Sequence, residues 1–177
     1  MLLCVWCISI SEADGPNSYA ESQTMRTLGV RCSNTDYTYC ILSGNATTPH
    51  TESINHVPYP NGFTDAETLR WLHQELQAIL DAQALDCVAV KRAETNVKRS
   101  NSLELRIQAE AIVILAAAEA GCRSVVRKVA ATIAKDLGLK GKAKYLQTKL
   151  DTTPISNFAD YSTKEKEAIL VAWSCME

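Results

Sequence analysis

TLGVRCSNTDYTYCILSG, residues 27–44, consists of two runs rich in β-branched and aromatic residues around the polar tetrapeptide Ser33-Asn34-Thr35-Asp36. Branched and aromatic side chains suit a pleated backbone, and short polar ones that bond their own backbone suit a turn. The stretch is therefore a hairpin, with strands over 27–32 and 37–43. A third strand over 52–57 ends before Pro58 and Pro60. Three strands in succession cannot belong to a purely parallel sheet, so the opening of the chain predicts an antiparallel meander.

Beyond it the pattern changes to α/β alternation. Thr64-Asp65-Ala66-Glu67 is a capping box, and Leu69, Leu72, Leu76, Ile79 and Leu80 recur at helical spacing, which predicts a helix over 65–83. Asp86–Val90 (DCVAV) is a short apolar run that reads as a buried strand, and it passes directly into Lys91 and Arg92. Residues 93–101 read as a basic loop, and a helix follows from Ser102. Its part AEAIVILAAA, 109–118, is apolar nearly all round, so it packs inside a core. Gly121 is its left-handed stop. Val125 and Val126 mark a fifth strand, 129–137 a helix ended by Gly138, and 140–150 a further basic helix. Ser162 with Glu165 makes a second capping box that opens a last helix burying Ile169, Leu170 and Trp173. The order predicts an α/β fold: a mixed five-stranded sheet with helices on both faces.

The chain of 177 residues is 46% hydrophobic and 21% charged, which fits one ordinary globular domain. Residues 1–24 read as a poorly structured extension and 25–177 as the domain. The first ten residues (MLLCVWCISI) are apolar but too few to cross a bilayer, and they lack the basic start of a signal peptide. Seven cysteines without regular spacing argue against a disulfide framework and for a reducing cytoplasm. Cys4-Val5-Trp6-Cys7 has CxxC spacing without the second pair that a zinc site needs. His50, His56 and His73 form no constellation, and there is no phosphate-cradling glycine loop or nucleophile elbow. Asn45-Ala46-Thr47 matches a glycosylation sequon, which a cytoplasmic chain carries by chance.

The net charge of −2 conceals a segregation. Residues 91–149 hold 13 of the 18 Lys and Arg but only 5 of the 20 Asp and Glu, a local balance of +8. Lys91, Arg92, Lys98 and Arg99 flank the loop after the fourth strand. Arg127, Lys128, Lys140, Lys142 and Lys144 follow the fifth. Loops at strand ends are where α/β folds bind ligands. Nine cations there suit a phosphate backbone, and with Tyr145 the only aromatic among them, backbone contact is expected rather than base stacking. The bland alternative is a solvated rim.

Several stretches resemble the ribonuclease-H-like superfamily, and within it the RuvC-type Holliday-junction resolvases. Leu28-Gly29-Val30 resembles the entry of that family's first strand, and SLELRIQAEAIVILAAAEAG (102–121) its long central helix. VRKVAATIAKDLGLKGKAKYLQTKL (126–150) resembles the passage from the fifth strand to a DNA-facing helix. KEKEAILVA (164–172) resembles the last helix, which carries two acids in the family. The resemblance spans 25–176 and implies a nuclease with two divalent metals held by about four carboxylates. At those positions this chain has Arg31, Lys91, Lys164 and, alone acidic, Glu167. One carboxylate cannot hold two dications, so the expectation is a domain without two-metal catalysis that binds DNA or branched nucleic acid and needs no cofactor. The alternative is an active magnesium- or manganese-dependent nuclease with relocated acids, for which Asp36, Glu94, Glu110 and Glu167 are the candidates. Glu110 interrupts an apolar run, and Lys91 or Arg106 would be its partner in a structural ion pair. A third reading is a protein-interaction scaffold that pairs with itself or with another chain.

Overall fold

The computed structural model describes residues 24–94, 98–140 and 142–177. Except for Thr24, the expected extension lies outside these residues, and so do Cys4 and Cys7. Strands β1 (Met25–Cys32), β2 (Asp36–Gly44) and β3 (Pro49–Pro58) form the meander. Helix α1 (Asp65–Asp81), strand β4 (Cys87–Lys91), helix α2 (Asn101–Glu119), strand β5 (Ser124–Lys128) and helix α3 (Ala130–Asp136) continue the chain. A single turn α4 (Tyr145–Thr148), a 3-10 turn at Phe158–Asp160 and helix α5 (Thr163–Trp173) complete it.

The sheet order is β3-β2-β1-β4-β5. β1 pairs antiparallel with β2 and parallel with β4, which pairs parallel with β5, so the predicted mixed sheet is the one observed. β3 lies at the edge and runs from Pro49 to Pro58, longer than the expected 52–57. An edge strand tolerates a residue without an N–H, so proline bounds it without breaking it.

Alternation along β1 sends Leu28, Val30 and Cys32 to one face, where they pack with Leu72, Leu76, Val113 and Ala117 of α1 and α2. The opposite face is covered by α5 through Ala168, Ile169 and Ala172, with Ile133 of α3. Gly29 makes the second layer possible. A Cβ there would stand 2.1 Å from the Ala168 carbonyl oxygen and 2.8 Å from the Ala172 Cβ. Only a residue without a side chain lets α5 lie so close to β1, and this closeness brings the first turns of α5 to the end of β1.

Both capping boxes are formed, Thr64 with Glu67 and Ser162 with Glu165. Gly121 has φ +70°, as its place after the α2 cap requires. The expected basic helix over 140–150 is cut to the four residues of α4. Its cap has no side-chain hydrogen bond, and Lys142, Lys144 and Lys149 crowd around one ring, Tyr145.

Candidate functional site

The C-terminal ends of β1 and β4 lie beside the start of α5. Arg31 is on the α5 face of β1, and its Nε donates to Glu167 Oε2 at 2.9 Å. One turn earlier on α5, Lys164 Nζ donates to Asp36 Oδ2 at the start of β2. Asp36 also accepts from Thr35 Oγ1 at 2.8 Å. Burial alone would raise the Asp36 carboxyl, but the bonds from Lys164, Thr35 and Ser33 outweigh it and hold the group below its usual range.

At the end of β4, Lys91 has a side chain only 4% exposed, and its Nζ donates to Glu94 Oε1 at 2.7 Å and to the Arg92 carbonyl at 3.0 Å. Glu94 also accepts from the Ala130 N–H at the start of α3, 3.0 Å away. Burial again pushes the carboxyl up, while Lys91 and the amide pull it further down, so the net shift is downward. Glu110 on α2 is fully buried. Its Oε1 accepts from the Ala93 N–H at 2.8 Å and from Arg106 Nε at 3.0 Å, and Arg127 Nη2 lies 3.7 Å from Oε2.

All four candidate acids are thus engaged by cations: Asp36 by Lys164, Glu94 by Lys91, Glu110 by Arg106 and Glu167 by Arg31. Of the two partners expected for Glu110, Arg106 takes the place, four residues away on the same helical face. A pair of dications requires several oxygen donors converging on shared points. Among the described residues, no three Asp, Glu, His or Cys come together closely enough to hold a metal ion. Arg31 and Lys91 bring positive charge to the ends of the strands, so the donor set does not fit a magnesium or manganese pair.

A cleft of about 820 Å³ opens between the start of α5 and the segment around α3 and α4. Lys91, Glu94 and Glu167 line one side of it, and Lys144, Leu146, Leu150, Phe158 and Lys166 line the remainder. The basic segment and the strand ends therefore share one concavity. A smaller hollow of about 260 Å³ is lined by Arg92, Glu94, Glu110 and Arg127 among others.

The nine cations singled out by sequence divide into two groups. Arg92, Lys98, Arg99, Arg127, Lys140, Lys142 and Lys144 are exposed. Arg99 is 86% exposed while bonded to Glu104 at 2.5 Å. Lys91 and Lys128 point inward instead. Lys128 pairs with Asp136 at 2.8 Å and donates to the Ser174 carbonyl at 2.7 Å, which ties β5 to the C-terminal end of α5. Sequence reasoning passed over Lys149, whose Nζ lies 4.4 Å from the Tyr145 ring centre beside Lys142 and Lys144 at 5.9 and 5.6 Å. Its signal was the four-residue spacing from Tyr145. It also passed over Lys166, which donates to the Ala159 carbonyl at 2.7 Å and lies over Phe158. The histidines are dispersed: His73 meets Glu119 at 2.7 Å and His56 meets Thr38 at 3.1 Å, each on a different element.

No protein-family model matches the chain, and no curated protein matches it by sequence. Solved structures do match. RuvC of Thermus thermophilus in complex with a Holliday junction substrate superposes with a TM-score of 0.65 at 18% identity, over 85% of this chain and 91% of that one. A second Thermus thermophilus RuvC structure gives 0.66 at 14% identity, over 85% and 92%. The fold is RuvC-like. The yeast mitochondrial Holliday junction resolvase Ydc2 shares this ribonuclease-H-like architecture with a TM-score of 0.55 at 12% identity, over 85% of this chain and 78% of that one. Among the described residues of this RuvC-like domain, no helix is long and apolar enough to cross a membrane.

Proposed function

We propose that this RuvC-like domain binds duplex or branched DNA through its basic face and does not carry out two-metal cleavage. The observation that supports the reading best is the pairing of each candidate acid with its own cation at the strand ends. A carboxylate committed to Arg or Lys must give up a charge-assisted bond before it can bind a dication. The exposed cations Arg92, Lys98, Arg99, Arg127, Lys140, Lys142 and Lys144 supply contacts to phosphates, and exposed Lys149 joins them. Similarity to a resolvase solved with a Holliday junction substrate makes a four-way junction the first probe to use. A reducing compartment such as the cytoplasm suits the five free thiols among the described residues.

The test is a gel-shift titration of the full chain with a labelled four-way junction and with linear duplex, at rising salt, beside an incubation with magnesium or manganese. Binding that weakens steeply with salt, with both DNAs left intact, is the expected result. Metal-stimulated cleavage that disappears in Glu167→Gln and Glu110→Gln would show instead that the acids act as ligands. An absence of binding even at low salt would remove the role for the basic face.

A further inference from the structure

The cleft of about 820 Å³ beside α5 holds more than a face for phosphates requires. Ile133 of α3, Leu146 of α4, Leu150, Phe158 of the 3-10 turn and Leu170 of α5 line it, and apolar groups form the larger part of its wall. Leu146, Leu150 and Phe158 are only partly buried, so this wall is open to a ligand. The charges in the cleft do not cancel. Lys91 is paired with Glu94, and Glu167 with Arg31. Lys144 and Lys166 line the same space, and among the described residues neither is in an ion pair. Lys166 donates to the Ala159 carbonyl at 2.7 Å and lies 5.7 Å from the Phe158 ring centre. The Lys144 ammonium lies 5.6 Å from the ring centre of Tyr145.

We propose that the cleft receives one unpaired nucleotide of a nucleic-acid strand, with its base against the apolar wall and its phosphates at Lys144 and Lys166. The proposal rests on the DNA-binding reading above and narrows its substrate to nucleic acid that carries a nucleotide out of the stack. A paired duplex offers phosphates and sugars to a protein and keeps the faces of its bases stacked on one another. Contact with the backbone alone therefore leaves the recess with nothing to bury. A base turned out of the stack has two flat faces for apolar contact and an edge for hydrogen bonds. Gln147, Thr152 and Thr163 line the cleft with donors and acceptors for that edge. The volume lies within the range of about 300–1,000 Å³ usual for sites that enclose a small ligand.

The cations outside the cleft identify the source of the nucleotide. Lys142 and Lys149 are exposed and stand with Lys144 around the Tyr145 ring, which extends the positive surface beyond the recess. A free nucleotide monophosphate has one phosphate group and leaves this extension unused. A strand continues on either side of the inserted nucleotide and brings its flanking phosphates there.

The experiment uses the full chain and two duplexes of otherwise identical sequence. One carries 2-aminopurine as a single unpaired bulge, and the other carries it paired with thymine. Binding should raise the fluorescence of the bulged probe several-fold as the base leaves the stack, leave the paired probe unchanged, and favour the bulged duplex several-fold in affinity. Ala143 is exposed and lines the cleft, so Ala143→Trp fills the recess without removing a cation. In this variant the fluorescence rise and the preference should disappear, while affinity for the paired duplex stays as in the native chain. Equal affinity for the two duplexes without a fluorescence rise, or a preference that survives Ala143→Trp, would overturn the proposal while leaving the DNA-binding reading intact. Absence of binding to either duplex at low salt would overturn both. Displacement of the bulged probe by deoxyadenosine monophosphate as readily as by unlabelled bulged duplex would overturn the assignment to a strand.

Discussion

Replacing Glu110 with alanine tests whether the buried acid is a structural counter-ion or an available ligand. In the native chain its Oε1 satisfies the buried Ala93 N–H at 2.8 Å and the Arg106 guanidinium at 3.0 Å. Removing the acceptor leaves that amide unpaired, which costs about 1–3 kcal/mol. Breaking a fully buried ion pair costs about 3–5 kcal/mol. Here the charge left behind is milder, because the side chains of Arg106 and Arg127 are 19% and 39% exposed and can turn toward water. The vacated space also admits a water molecule to the amide. Together these place the loss at about 3 kcal/mol, or about 6–12 °C in Tm for a domain of this size. Glu110→Gln keeps an acceptor for Ala93 but no charge for Arg106, so about half that loss is expected. Urea denaturation followed by circular dichroism measures both, with the slope on denaturant unchanged. A loss below about 1 kcal/mol in the alanine variant would refute the structural assignment, as would a native Tm that rises on adding manganese and ceases to do so in Glu110→Gln.

Acid should find the same ion pairs. Asp36 and Glu94 have folded-state pKa values below their ordinary ones, so their contribution is complete above the unfolded values of about 4 and is lost as pH falls through the folded ones. The urea midpoint should be level from neutrality to about pH 5 and fall below about pH 4, and Lys164→Met should flatten that fall; an identical acid limb in the variant would refute the Asp36 assignment. Gly29→Ala drives a methyl into the Ala168 carbonyl, so a loss above the ordinary overpacking cost of about 1–3 kcal/mol is expected, with a red shift of Trp173 fluorescence as α5 lifts from β1. Charge reversal of Lys142, Lys144 and Lys149 together should leave Tm within about a degree and lower the slope of log K against log salt by about 3 in a gel-shift series, near one for each phosphate no longer neutralised.

The parts legible in the sequence are those whose causes are local. The hairpin, both capping boxes and the stop at Gly121 depend on residues within a few positions of one another, and each forms where its signal stands. Glu110 with Arg106 was readable for the same reason, being four apart on one helix. Lys91 was readable as a cation at a strand end but not as a buried partner of Glu94, because only the turn after β4 folds it back. Arg31 with Glu167 and Lys164 with Asp36 are separated by 136 and 128 residues. No period or spacing links such pairs; the layering of α5 on β1 creates them.

On the proposed reading, the ion pairs balance the acids near the strand ends with no dication required. Carboxylates gathered around metal ions are tolerable because the ions offset their repulsion. Without the ions, two like charges about 4 Å apart cost about 4 kcal/mol in a partly screened site. In this chain Arg31, Lys91, Arg106 and Lys164 balance Asp36, Glu94, Glu110 and Glu167 one for one, each pair within direct contact. The balance makes the set interdependent. An acid at position 31 alone would face Glu167 without a cation between them, and an acid at 91 alone would face Glu94 in the same way. Cations at the strand ends and acids on the neighbouring elements therefore stabilise one another as a group.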